Sequence, residues 1–145
     1  MVNDPDWIKY IGDRNVKNIE DAEKYISERI IKSYNQYGFG LYLVIEKLSG
    51  ANTGICGLLK RDYLDDPDVG FAFLPQFRGK GYTFESASAI IKYGIDNFGM
   101  NKLSAIIKWN NERSITVLMK LGFKFTQNIK LPDEDEEVNL FELLI

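Results

Sequence analysis

The 145-residue chain contains no histidine. That absence removes Ser-His-Asp and Cys-His catalysis, HExxH zinc sites and imidazole acid–base chemistry. A single cysteine, Cys56, allows no intramolecular disulfide and no multi-cysteine metal site, so no metal is expected. No apolar run approaches the roughly eighteen residues needed to cross a bilayer. The opening MVNDPDWIKY is no secretory signal, and the expectation is a cytoplasmic protein without a membrane partner. Positive charge is not in excess: 18 Lys plus Arg face 21 Asp plus Glu, for a net charge of −3. A nucleic-acid platform built on phosphate neutralisation is therefore not expected. Any catalysis must use carboxylates, hydroxyls, backbone amides or a cofactor.

What is present suffices for one domain, residues 1–145, with a real core: 45% of residues are hydrophobic and 13% aromatic. Trp7, Ile8 and Ile11 form a short apolar turn, and after Asn18 the residues Ala22, Tyr25, Ile26, Ile30 and Tyr34 share one helical face. Leu41 to Ile45 is continuously apolar and reads as a strand covered on both faces. A turn at residues 49–52 leads into a second strand, Thr53 to Leu59, and a third runs from Asp68 to Leu74. Phe84, Ala87, Ile91, Ile95 and Phe98 then mark a long helix closed by Gly99. Leu103 to Ile107 reads as a strand, and Asn111 to Leu121 as a helix with Gly122 at its end. Two last strands, 123–127 and 138–144, flank an acidic loop at 133–137. The expected class is mixed α/β, with a mostly antiparallel sheet and helices on both faces.

Gln76-Phe77-Arg78-Gly79-Lys80-Gly81-Tyr82 lies at a strand-to-helix junction. Free backbone N–H groups at a helix start, beside glycines and basic side chains, suit a phosphate. The Walker A pattern fails, since Leu74 replaces its first glycine and Gly81 stands after Lys80 where its Ser or Thr belongs. The dinucleotide fingerprint fails too, because Phe84 stands where its third glycine belongs.

Gln76, Gly79 and Gly81 instead spell Q-x-x-G-x-G, which resembles the acetyl-CoA signature of the Gcn5-related N-acetyltransferase (GNAT) superfamily. Residues 68–75 are similar to that family's fourth strand, and residues 81–86 to the "G-Y-a-T-E-A" helix start of its RimJ/RimL-like branch. Asn111–Ser114 followed by Leu121-Gly122-Phe123 resembles that branch's "N-x-x-S … L-G-F" segment. The resemblance covers about residues 5 to 145 and implies acetyl-CoA as cofactor. It implies backbone amides of Arg78, Gly79, Lys80, Gly81, Tyr82 and Thr83 on the pyrophosphate, within a loop that begins at Gln76 and Phe77. Main-chain groups of Phe71, Ala72, Phe73 and Leu74 would pair with pantetheine in a V-shaped slot. Asn111 would hold pantetheine, though Asn also suits a helix cap there, and Lys120 would reach the nucleotide phosphates.

The implied reaction is direct attack of a primary amine, on a peptide N-terminus or a small molecule, without an acyl-enzyme. A non-catalytic acyl-CoA sensor of the same fold is the alternative. Leu118 replaces the tyrosine that many members use as acid, and the resemblance assigns that part to Ser114. With no histidine, a carboxylate is expected as base: Asp68 first, then Glu85, which flank the loop. Cys56 reads as a buried apolar residue. The family layout also has a strand before the segment equivalent to Trp7. That leaves a truncated form, or another chain (a homodimer among the options) covering the edge at Leu41 to Ile45.

Overall fold

The computed structural model describes every residue from Met1 to Ile145. Asp4 caps helix α1 (Pro5–Tyr10) by accepting from the Trp7 N–H, and Pro5 fills the first turn, where no amide is needed. Asn18 caps α2 (Ile19–Tyr25) through the Asp21 N–H. That helix runs through a π-helical stretch, Ile26–Ile31, into α3 (Lys32–Tyr37) and stops at Gly38, whose φ is +81°. The π stretch breaks the 3.6-residue period assumed for the apolar face. Ile26 and Ile31 are left 45% and 44% exposed, while Tyr25, Glu28, Lys32 and Gln36 face a cleft.

Strands β1 (Leu41–Ile45), β2 (Asn52–Leu59), β3 (Asp68–Phe73), β4 (Lys102–Ile107), β5 (Lys124–Lys130) and β6 (Glu137–Leu144) form one sheet in the order β1-β2-β3-β4-β6-β5. All neighbours are antiparallel except β3 and β4. The expected mixed, mostly antiparallel sheet is thus the observed one. β1 departs from its expectation: it is an edge strand, and Leu43 and Ile45 are 56% and 52% exposed. Continuous apolarity here reflects an edge strand with little charge rather than cover on both faces.

Helices α4 (Tyr82–Phe98) and α5 (Glu112–Lys120) pack on one face, where Ala87 and Leu118 join Cys56, Leu58, Leu103 and Phe141 in the core. A Cβ at Gly94 would stand 2.9 Å from the Met100 sulfur and 3.1 Å from Leu58, so glycine lets α4 sit close to the sheet. Residues alternate along a strand, so Ile55 and Leu59 face the opposite way. On that side they line the cleft together with Trp7, Tyr25 and Ile30. No helix is long and apolar enough to cross a membrane.

The feature that positions the site is the seam between β3 and β4. These strands share one register pair, Asp68 with Ser104, beside a bond from the Ser104 N–H to the Pro67 carbonyl. Beyond it they part.

Candidate active site

The parted seam opens into a cleft of 1520 Å³. One wall carries Phe71, Ala72 and Phe73 of β3 with Gly79 and Thr83, and the other carries Ile106 and Ile107 of β4 with Asn111 and Ser114. The Leu74 N–H donates to the Thr53 carbonyl at 2.9 Å, in the ladder that pairs β3 with β2. Alternation along an antiparallel ladder then turns the Ala72 and Leu74 groups toward β2, and those of Phe71 and Phe73 toward the gap. The expectation of main-chain contacts from all four residues is corrected accordingly. Ala72 and Leu74 have none to offer, and the Phe73 carbonyl already accepts from Arg78 Nε at 2.9 Å.

The loop between β3 and α4 fits an anion. Leu74 leads into a short 3₁₀ turn, Pro75–Phe77, in which the Phe77 and Arg78 amides bond back to Leu74 and Pro75. From Gly79 to Phe84, no backbone N–H donates to a protein acceptor; the first to do so is Glu85, to the Gly81 carbonyl. Gly79 and Gly81 hold φ of +72° and +87°, and a Cβ on either would meet nothing within 4 Å. Only glycine adopts that backbone without strain, and the space beside these two residues is open.

Several side chains differ from their expected roles. Arg78 does not present its guanidinium to the loop: it bonds Asp6 at 2.6 Å and Asp4 at 2.7 Å. Those bonds, the Asp4 one foremost, hold the Asp4 carboxyl below the usual carboxylate range. The Arg78 amide is likewise taken, by Pro75. Lys80 lies 5.6 Å from the centre of the Phe77 ring, and the Tyr82 hydroxyl donates to Glu46 on the β1–β2 turn. Gln76, Phe77, Lys80, Gly81 and Tyr82 stand outside the cleft lining, as does exposed Lys120 in the last turn of α5.

Neither expected base is placed for that work. Asp68 is 1% exposed and holds Arg61 Nε at 3.0 and 3.1 Å through its two oxygens. Burial pushes its carboxyl up against the opposing pull of Arg61. A carboxylate with both oxygens engaged by a guanidinium at the closed end of the seam is a structural ion pair. Glu85 is exposed in the first turn of α4, outside the cleft.

Asn111 and Ser114 both line the cleft. Asn111 caps α5, its side-chain oxygen accepting from the Ser114 N–H at 3.4 Å, and its Nδ2 has no protein partner. The half-buried Ser114 hydroxyl lines the cleft, also without a partner. Cys56 is 1% exposed, and burial pushes its thiol up to about 11, which leaves it protonated and inert.

The sequence reading missed the wall built by α1 and the segment that follows it to Arg14. Trp7 Nε1 and Arg14 Nε are buried donors without a partner, and both residues line the cleft. The Asp-Pro start of α1 signalled a helix cap at Asp4. Nothing local signals that Arg78, 74 positions away, would share that carboxylate.

Comparison with known proteins agrees with this geometry. Residues 1–124 match the model of the acetyltransferase (GNAT) domain. The uncharacterized protein YkkB of Bacillus subtilis is 26% identical over 132 residues, which is 90% of this chain and 75% of that protein. An acetyltransferase (GNAT family) from Bacillus anthracis superposes with a TM-score of 0.77 at 24% identity, over 97% of this chain and 82% of its own. Spermidine N-acetyltransferase from Vibrio cholerae, in complex with CoA and spermine, superposes with a TM-score of 0.78 at 13% identity, over 98% and 84%. A domain match over most of the chain, on a sheet parted beside a glycine loop of free amides, makes this protein an N-acetyltransferase of the GNAT family.

Proposed function

We propose that this enzyme uses acetyl-CoA to acetylate a primary amine directly, in the manner of the RimJ/RimL-like branch. The observation that carries the reading is the run of undonated amides from Gly79 to Phe84 at the start of α4, beside the open seam. These amides and the positive end of the α4 dipole suit the pyrophosphate of CoA. The free Phe71 edge and Asn111 Nδ2 suit the amides of pantetheine, an arm that lies along β3 as an added strand. Acetyl-CoA supplies an activated acyl group. The chain itself supplies alignment and unpaired β3 amides for charge developing on the thioester oxygen. The Ser114 hydroxyl donates a hydrogen bond to the departing sulfur, and the thiolate leaves as such or takes its proton from water, which balances the one the amine gave up.

With Asp68 paired and Glu85 outside the cleft, the amine loses its proton to water, and the enzyme draws on the neutral fraction. The buried donors of Trp7 on α1 and of Arg14 just beyond it favour an acceptor with a carbonyl or carboxylate oxygen beside its amine, such as a peptide N-terminus or an amino acid. A polyamine brings only further donors. CoA titration calorimetry and thiol release from acetyl-CoA across peptides, amino acids and spermine test this reading. CoA binding with no turnover on any of them would favour a sensor.

A further inference from the structure

Arg78 stands immediately before the glycines of the loop, yet its side chain reaches away from it. Nε holds the Phe73 carbonyl at the end of β3, and the two terminal nitrogens hold Asp6 and Asp4 at 2.6 and 2.7 Å. One residue thus joins three things: its side chain holds the cleft edge of β3 and α1, whose Trp7 lines the cleft, and its backbone leads directly into the glycine turn. The bond set is charge-assisted and three-quarters buried at Arg78. Asp4 has a double duty, since the same oxygen that meets Arg78 also accepts from the Trp7 N–H. These are the ion pairs that α1 makes with the rest of the molecule.

We propose that Arg78 is a positioning residue that couples the cofactor loop to the acceptor wall: when phosphate oxygens fix the amides after Arg78, its guanidinium in turn fixes Asp4, Asp6 and hence Trp7. CoA binding therefore tightens α1, and the acceptor site is completed only after the cofactor has bound. Thermodynamic reciprocity requires that a well-seated α1 also favours CoA. The proposal rests on the loop being the CoA site, and its test separates the two.

Hydrogen exchange of the full chain, with and without CoA, reads both segments at once. In the native sequence CoA should slow exchange at residues 79–84 and also at residues 7–11, the latter by roughly fivefold or more. In the Asp4→Asn/Asp6→Asn double variant the slowing at 79–84 should remain while that at 7–11 disappears. Arg78→Lys, which keeps charge but loses the planar fork, should retain part of it. Melting curves identify any variant that has lost its fold. Slowing of α1 that persists in the double variant overturns the proposal. So does faster α1 exchange on CoA binding, the result expected if phosphates pull Arg78 away from its carboxylates. Absence of any response at 79–84 in the native sequence would instead remove the loop as the CoA site, and the coupling with it.

Discussion

Removing the Asp68 carboxylate strands the Arg61 guanidinium at the closed end of the seam. Asp68→Asn should therefore cost about 3 kcal/mol of stability in urea denaturation, in line with breaking a buried pair from one side. Glu85→Gln, at an exposed helix turn, should change neither stability nor the pH dependence of turnover. A shifted pH profile in Glu85→Gln would restore it as a base. Ser114→Ala should lower turnover about 10- to 100-fold with CoA affinity unchanged, because its hydrogen bond matters only as the thiolate departs. Single-turnover rates beside calorimetry would show the split. Cys56 gives a pH effect of known sign. Its folded pKa lies near 11 against an ordinary 9.0, raised by burial, so the stability it contributes is complete below pH 9 and falls as pH rises toward 11. Cys56→Ala should flatten that alkaline decline, leaving the share of Tyr42, which burial and its tyrosine neighbours push up to about 12.

Between residue and molecule, the glycine turn is where local chemistry and tertiary purpose meet. Gly81→Val forces a β-branched residue to φ of +87°, a strain of about 1–2 kcal/mol, and fills the space before the free amides. CoA binding should be lost while the melting temperature falls only modestly; unaltered affinity by calorimetry would dismiss the loop. Elements of this kind were readable from the sequence because their signals are local. Gly79, Gly81 and Gly99 all take positive φ, and Asn18 and Asn111 cap the helices they precede. The strands followed their alternating or continuous apolar runs to within a few residues. Less was readable where a role depends on a distant partner. Asp68 has the same local setting whether it is a base or the mate of Arg61. Arg78 looks like a phosphate ligand until α1 folds back onto it. The π stretch between α2 and α3 leaves no mark in a pattern that assumes an even helical pitch.

For the whole molecule, ligand binding should register as global stability. At CoA a hundredfold above its dissociation constant, linkage adds about 2.7 kcal/mol. For a chain of this size that is a rise of roughly 5–11 °C in melting temperature, and Gly81→Val should show none of it. The seam gives this gain a particular mechanical form. β1–β3 and β4–β6 are two plates fastened at Asp68 and Ser104 and braced by the helices, with a crack running outward from that fastening. A crack concentrates load at its tip, so force applied across the plates falls first on the Asp68–Ser104 register pair and on the ion pair beside it that spans the seam, Lys102 with Asp66 at 3.1 Å. An extended pantetheine arm acts as filler, spreading that load along the length of β3. Pulled across the seam in an optical trap, the molecule should yield in two stages without CoA, plates before plates' interiors, and in one stage at higher force with it.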